Sequence, residues 1–261
     1  MREASCSLQS ITVVGGEGGM GRLFRSRLET CVSGPVRSLD KPLRRRELDR
    51  DVPDADLILL AVPLPALDEV LHSLAPRLEP RTVLADLASV KTRPVDLMLR
   101  SHAGPVVGTH PLFGPAPEAD TPLRIAVVPG RDEHAAAETQ DLLAAAGLQP
   151  FRTDARTHDQ CMARIQGLNF ATTVSYLAAT SLQPDLEKFA TPSFRRRLEA
   201  ARKMLVQDGE LFCDAFESNP YSQDAVRTFR SLLNLASAGE LDLLRQRAMW
   251  WWHSCETGGG T

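Results

Sequence analysis

The segment ITVVGGEGGMGRLF, residues 11–24, decides the fold. The residues ITVV suit a buried strand, and the turn after them carries the pattern Gly-x-Gly-x-x-Gly at Gly16, Gly18 and Gly21. At such a helix start the backbone N–H groups can hold a pyrophosphate, and glycine lets the phosphate approach closely. The segment therefore predicts a dinucleotide site at a strand–turn–helix junction.

An acidic residue after the next strand indicates which dinucleotide binds. Asp40 lies 19 residues after Gly21, where a carboxylate can accept the ribose hydroxyls of NAD and repels the 2′-phosphate of NADP. We interpret the nearby Arg37, Lys41, Arg44, Arg45 and Arg46 as a solvated face, although they could also reach a phosphate, so strict discrimination against NADP stays open. We therefore predict NAD and assign its binding to Gly16, Gly18, Gly19, Met20, Gly21, Asp40, Val62 and Pro63.

Apolar runs alternate with helical stretches as far as residue 152. We predict strands near 11–16, 57–62, 82–88, 105–110 and 123–130, and helices at 66–78 and 132–148. Short buried strands separated by helices are typical of an α/β fold with a doubly wound parallel sheet. We assign residues 1–152 to this dinucleotide-binding domain.

The second part of the chain, residues 153–261, reads as all helical. Residues 158–181 have the length of a long, largely buried helix, and Thr191 with Pro192 forms a cap followed by a first helical position. The run MWWW, residues 249–252, adds more apolar surface than so small a unit would bury alone. We therefore predict a helical substrate-binding and dimerisation domain, and a homodimer.

Composition narrows the class of protein. A hydrophobic fraction of 43% and a charged fraction of 24% are ordinary for a globular chain, and a net charge of −3 gives no reason to expect nucleic acid or membrane partners. Five scattered cysteines without metal-ligand spacing indicate reduced thiols and no metal. The first residues show no apolar signal segment, so we expect a cytoplasmic protein.

Two further candidates follow strands. His110 stands at the end of PVVGTH, where ligands collect in an open α/β sheet, and histidine is the usual base near neutral pH. A structural loop histidine would fit that position equally well. Ser89 and Lys91 follow the strand at 82–88, where we interpret such residues as caps or surface groups unless other observations add to them.

Five segments together resemble one known family. GGEGGMGRLF, DLASVKT, GTHPLFGP, HDQCMARIQGL and TPSFRRRLEAARKMLVQD, in this order, are similar to the prephenate dehydrogenase family of tyrosine biosynthesis over residues 11–215. The resemblance implies an N-terminal Rossmann domain, a helical dimerising domain, and NAD-dependent conversion of prephenate to 4-hydroxyphenylpyruvate with loss of carbon dioxide. We expect neither a chorismate mutase domain nor an ACT regulatory domain within this length.

The resemblance also implies roles for individual residues. His110 matches the histidine that takes the proton of the ring 4-hydroxyl while C4 gives its hydride to the cofactor. Ser89 matches a serine at the same centre, and Arg195 matches an arginine that binds a substrate carboxylate. Surface charge is the alternative for Arg195, because three consecutive arginines cannot all face one site.

One departure from the family leaves alternatives open. Many members carry a histidine where this chain has Phe170, so the second carboxylate is assigned to Gln166, Lys188 or Arg164. Arogenate therefore stays an alternative to prephenate as substrate. A β-hydroxyacid or imine reductase and a relative without catalysis are more distant alternatives. His158 and Asp159 also match the family, and they equally fit an ordinary pair at the start of a helix.

Overall fold

The structure is a computed structural model that describes residues 8–252 except 182 and 184. Strands and helices alternate up to Arg152. The strands are β1 (Ile11–Val14), β2 (Val36–Leu39), β3 (Leu57–Leu60), β4 (Val83–Asp86), β5 (Val106–Pro111), β6 (Arg124–Arg131) and β7 (Gln149–Arg152). The helices between them are α1 (Gly19–Leu28), α2 (Arg45–Asp51), α3 (Leu67–Leu74), α4 (Thr92–Ser101) and α5 (Glu133–Ala145).

The seven strands form one sheet in the order β2-β1-β3-β4-β5-β6-β7. The predicted α/β architecture is confirmed, but the sheet is not wholly parallel, because β6 runs antiparallel to β5. A parallel neighbour needs a crossover that is usually a helix, and residues 112–123 between these strands form a loop without a helix.

Two apolar layers cover the sheet. Alternate residues of each inner strand point to opposite layers: Ile11 and Val13 pack on the side of α1 and α5, whereas Val14 packs on the side of α3 and α4. All four residues of β1, of β3 and of β4 are buried, which explains why these strands appear in the sequence as continuous apolar runs. The carboxyl ends of these strands form the edge at which the glycine-rich turn lies.

The chain is helical after β7. The helices are α6 (Ala155–Met162), α7 (Asn169–Thr180), α8 (Pro192–Arg202), α9 (Gly209–Ser218), α10 (Ser222–Ser237) and α11 (Leu241–Ala248). Wide π-helical turns, Ala163–Leu168 and Lys203–Gln207, follow α6 and α8. The cap at Thr191 is as predicted, because its Oγ1 accepts the N–H of Phe194. The domain boundary at 152 stays a prediction.

The segment 158–181 is helical, as predicted, but it is not largely buried. Its residues run through α6, the first π-helical turn and α7, yet in α7 itself Thr173 is the single buried residue. The expectation of a largely buried helix is wrong for one copy of the chain, because α7 turns apolar side chains such as Val174 and Tyr176 outward. Across the described part of the chain, no helix combines the length and apolar character needed to cross a bilayer.

Candidate active site

The glycine-rich turn has the shape that a phosphate needs. Gly18 precedes the first residue of α1, and a Cβ built on Gly18 would approach only the carbonyl oxygen of Gly15, at 3.2 Å. A Cβ on Gly21 would lie 2.1 Å from that same oxygen, so only glycine packs there. Gly21 therefore keeps α1 close to the strand, while Gly18 leaves open the space where a pyrophosphate would meet the helix start.

Asp40 lies beside this turn, directly after β2. Its Oδ1 accepts the backbone N–H of Glu17 at 3.0 Å, and its Oδ2 accepts the hydroxyl of Ser38. Basic residues near it are engaged with other acids: Arg37 with Asp51, Lys41 with Glu69, Arg44 with Glu47 and Arg45 with Asp49. This arrangement supports the interpretation of the basic run as a solvated face.

A cleft of about 530 Å³ joins the turn to the helical half of the chain. The structure brings seven of the predicted site residues to its walls: Gly18, Gly19, Met20, Val62, Pro63, Ser89 and His110. Gly16, Gly21 and Asp40 stand behind or beside the turn and do not line the cleft. The cleft thus contains both the predicted phosphate site and the predicted base.

His110 is the buried base candidate of this cleft. It lies in β5, is 3% exposed, and has its Nδ1 2.9 Å from Nε2 of His158. Burial lowers the pKa of His110 well below 6.5, and the neighbouring His158 and Lys91 lower it further. The imidazole is therefore neutral near pH 7 and able to accept a proton.

His158 and Asp159 are the main residues that sequence reasoning undervalued. The Nδ1 of His158 lies 2.8 Å from Oδ1 of Asp159, and that carboxylate also accepts the backbone N–H groups of Lys91 and Thr92. Burial opposes ionisation of Asp159, but the hydrogen bonds from His158, Thr92 and Lys91 outweigh it and lower its pKa. The pair fixes α6 to the start of α4, and the family resemblance was the one signal that pointed to it.

Lys91 occupies the N-cap position of α4, but its side chain does not cap the helix, and the alternative of a surface residue is wrong. Its ammonium is fully buried and donates to both carboxylate oxygens of Asp86 and to the carbonyl oxygen of Thr109, at 2.5–2.6 Å. Burial raises the pKa of Asp86 and lowers that of Lys91, while their contact opposes both shifts. A carboxylate buried at the end of β4 requires a nearby cation, and this pair holds β5 directly before His110.

A small pocket of about 10 Å³, roughly the space of one water molecule, adjoins the cleft and shares Ser89 with it. Gln166 lines this pocket, as do Asn219 and Ser222. The buried Oγ of Ser222 has no hydrogen-bond partner among the residues that the structure describes. Phe170 stacks on Phe212, whose ring also lines this pocket, with the ring centroids 5.6 Å apart.

The predicted carboxylate partners on the helical half do not reach the cleft. Arg195 is exposed on α8, and Lys188 is exposed and paired with Asp185 at 2.8 Å. Lys203, which sequence reasoning missed, places its Nζ beside Gly114 at the rim of the cleft. The helical side of the cleft carries three carboxylates without ion-pair partners in the described chain: Asp208, Glu210 and Asp214.

These groups define what the cleft can do chemically. A neutral imidazole and the hydroxyl of Ser89 face the same space as a turn shaped for a pyrophosphate. Proton removal beside a bound dinucleotide is the arrangement that dehydrogenation requires. Within the ranges that the structure describes, no three His, Cys, Asp or Glu side chains are grouped to hold a metal ion.

Comparisons with known proteins agree with this geometry. Residues 44–121 match the family model described as prephenate dehydrogenase, nucleotide-binding domain. A T-protein of Enterobacter agglomerans is 34% identical over 217 residues, which are 81% of this chain and 57% of that protein, so the chain spans little more than half of its length. A 4-amino-4-deoxyprephenate dehydrogenase of Streptomyces pristinaespiralis is 28% identical over 87% of this chain and 84% of that protein.

Solved structures show the same fold. The crystal structure of prephenate dehydrogenase from Aquifex aeolicus, in complex with hydroxyphenyl propionate and NAD⁺, covers 96% of this chain and 97% of its own. The TM-score is 0.77 and the sequence identity is 17%. The likeness at this identity concerns the fold, which confirms the Rossmann domain followed by helices.

Proposed function

The chain belongs by its nucleotide-binding domain to the prephenate dehydrogenase family, and from this premise we propose that it oxidatively decarboxylates prephenate to 4-hydroxyphenylpyruvate with NAD. The observation that carries the proposal is the position of His110. A buried neutral base lines the same cleft as an open glycine turn, so a proton and a hydride can leave one substrate together. We propose that the enzyme acts in tyrosine biosynthesis in the cytoplasm.

The residues of the turn fit NAD. Gly18 leaves the start of α1 open for the pyrophosphate, and Asp40 stands where a carboxylate meets the ribose hydroxyls. When bound, NAD supplies the acceptor for the hydride from ring C4. The first turn of α1 contains no acidic residue that would repel the pyrophosphate.

The chain's own residues handle the proton and hold the ring. His110 takes the proton of the 4-hydroxyl as C4 loses its hydride and gains carbonyl character. The bond between the ring and its carboxylate then breaks, carbon dioxide leaves, and the electron pair of that bond completes the aromatic ring. The phenolate oxygen recovers the proton from His110. Ser89, on the same wall, hydrogen-bonds the reacting oxygen.

The substrate carboxylates need donors, and we propose Gln166 and Lys203 as the nearest ones. Gln166 lines the pocket that shares Ser89, and the ammonium of Lys203 lies at the rim beside Gly114. Arg195, which the family resemblance implies, and Lys188, a candidate substitute for the missing histidine, stay predictions, because both are exposed in one copy of the chain. Movement of α8 or a partner copy would be required to bring them in.

We also propose that the helical half forms a homodimer. The side chains of Trp250, Trp251 and Trp252 are 60%, 62% and 69% exposed, and Leu233 and Leu241 on α10 and α11 are 49% and 62% exposed. Large apolar side chains grouped in this way mark a protein interface.

Dehydrogenation of 4-amino-4-deoxyprephenate is a second candidate function. The chain spans 84% of the relative with that name, against 57% of the T-protein, and three carboxylates line the cleft. A substrate that carries an ammonium group would find opposite charge on that wall, whereas the dianionic prephenate would meet repulsion there.

A parallel assay separates these functions. Purified protein is offered prephenate, arogenate and 4-amino-4-deoxyprephenate, each with NAD and with NADP, and formation of the reduced cofactor is followed. We expect the highest kcat/KM with prephenate and NAD. A clear preference for 4-amino-4-deoxyprephenate would support the second function instead. A preference for arogenate would show that the enzyme selects its substrate by the amino acid side chain.

A further inference from the structure

We propose that His158 is a positioning residue that, supported by Asp159, holds the proton of His110 on Nδ1 and so leaves Nε2 as the proton acceptor of the cleft. The effect of this arrangement on turnover rests on the proposed function, because it requires His110 to be the catalytic base. The hydrogen-bond chain itself is a property of the folded protein before substrate binds.

The hydrogen bonds that link Asp159, His158 and His110 run in one direction, because an ionised Asp159 can only accept them. An ionised carboxylate accepts hydrogen bonds and donates none. Asp159 accepts the backbone N–H of Lys91 at 2.7 Å and that of Thr92 at 2.8 Å, which favours the ionised form. The atom of His158 that faces this carboxylate is Nδ1, at 2.8 Å, so Nδ1 carries a hydrogen.

The second ring nitrogen of His158 then determines which nitrogen of His110 carries the proton. In a neutral imidazole whose Nδ1 is protonated, Nε2 is a hydrogen-bond acceptor. This Nε2 lies 2.9 Å from Nδ1 of His110, which must therefore donate the proton between them. Nε2 of His110 is left with its lone pair.

The opposite arrangement is unfavourable here. If His110 carried its proton on Nε2, two nitrogen lone pairs would face each other across 2.9 Å in a site where both rings are less than 5% exposed. Protonating His158 to repair this contact would place a cation 2.9 Å from Nδ1 of His110, in a site where His158 and Lys91 already lower the pKa of His110. Both alternatives leave His110 unable to accept a proton from the substrate.

The arrangement also supports the charged state that follows proton uptake. When Nε2 of His110 takes a proton, the ring becomes an imidazolium whose Nδ1–H still points at His158. The hydrogen bonds through His158 to the Asp159 carboxylate stabilise this charge, which is the role that an aspartate plays behind the histidine of a hydrolase triad. In this chain a second imidazole stands between the base and the carboxylate.

The direct experiment is ¹⁵N NMR of the full-length protein labelled at histidine, at about pH 8. The wild type should show His110 protonated on Nδ1 and unprotonated on Nε2, with the signals assigned by their loss in His110→Asn. In His158→Phe, which removes the acceptor, the Nδ1–H signature of His110 should be lost. His158→Gln, whose side-chain oxygen takes the place of Nε2, should restore it.

Kinetics provide the second readout. We expect His158→Phe to lower kcat between about 10²- and 10⁴-fold with little change in KM or in NAD binding. His158→Gln should recover at least about tenfold of that loss, which a purely structural role would not predict. His72→Phe, at an exposed histidine of α3, is the matched control and should keep wild-type kinetics. Thermal unfolding of each variant shows whether it folds.

The outcomes separate this inference from the proposed function. A wild-type His110 protonated on Nε2 overturns the inference, whatever the enzyme turns over. Unchanged kcat in a folded His158→Phe also overturns it. The expected NMR pattern in a protein that is silent with every substrate would leave the positioning intact and remove the proposed function.

Discussion

His110 and His158 share a hydrogen bond of 2.9 Å between Nδ1 and Nε2, although 48 positions separate them in the chain. His110 ends a strand of the sheet, and His158 belongs to the first helix after it. The proposed base is thus held by both parts of the molecule. Any change that moves α6 relative to β5 is expected to act on the chemistry before it acts on cofactor binding.

Replacement of the base tests its role. We expect His110→Asn to lower kcat by about 10²- to 10⁴-fold, because an asparagine amide cannot accept the proton that the proposed mechanism gives to the imidazole. The affinity for NAD should stay within about twofold, since the phosphate site is formed by the glycine turn. Stopped-flow turnover and calorimetric NAD titration measure the two effects. Unchanged turnover would remove His110 from the mechanism.

The pH dependence of kcat/KM should carry the signature of a buried base. The active form of His110 is neutral, and its lowered pKa keeps it neutral to below pH 6.5. We therefore expect a flat profile from pH 8 to 7 and a fall only in more acidic solution. The groups around His110 that could add to the profile are His158, Asp159, Lys91, Asp208, Glu210 and Asp214. An acidic limb centred above pH 7 would contradict this expectation.

The same substitution at two glycines should give different results. Gly18→Ala adds a methyl group where the phosphate approaches, so we expect NAD affinity to fall at least about tenfold while the fold persists. Gly21→Ala places a Cβ 2.1 Å from the carbonyl oxygen of Gly15 and should destabilise the protein by about 1–3 kcal/mol. Urea unfolding and NAD titration are measured for both. Equal effects on stability would refute the division of roles.

The buried ion pair should dominate the stability of this edge of the sheet. Lys91→Met leaves Asp86 buried without its cation and should cost about 3–5 kcal/mol in the free energy of unfolding. The double variant Asp86→Asn with Lys91→Met should lose less, because no charge stays unpaired. Arg100→Met, at the exposed pair with Asp96, is the control and should change stability by less than about 1 kcal/mol. A loss in Lys91→Met no greater than in the control would contradict the account.

The exposed tryptophans predict the oligomeric state. We expect a dimer by sedimentation at micromolar concentration, and a monomer when Trp251→Glu and Trp252→Glu are combined, since two charges would be buried at the interface. Arg81→Glu, on the exposed surface of the sheet domain, should leave the dimer intact. A wild-type monomer would show that these side chains serve another contact.

Patterns in the sequence predicted most of the structural features that neighbouring residues determine. The turn at Gly16 to Gly21, the apolar strands and the cap at Thr191 were readable because neighbouring residues determine them. The antiparallel course of β6 and the burial of Lys91 depend on where distant segments meet, which spacing along the chain does not encode. The hydrogen bonds that link His110 to Asp159 through His158 were not predicted for the same reason.

The sequence predicted that the second half of the chain is helical, but it did not predict where its helices pack. Helical periodicity identified its elements, but the exposure of α7 follows from the absence of a covering face in one copy of the chain, which no pattern within the helix reports. The role of Arg195 came from the family resemblance alone, and Lys188 was a candidate substitute for the histidine that Phe170 replaces. They stay predictions, because side-chain position on an exposed helix depends on what packs against it.

The stoichiometry of products from prephenate and NAD shows directly whether the protein carries out the proposed reaction. Reduced cofactor and carbon dioxide are followed in the same reaction with purified protein, and His110→Asn is run beside it. We expect equal amounts of both products from the wild type and a loss of both in the variant. Tight NAD binding with neither product formed, under conditions where the protein is folded, would contradict the proposed function.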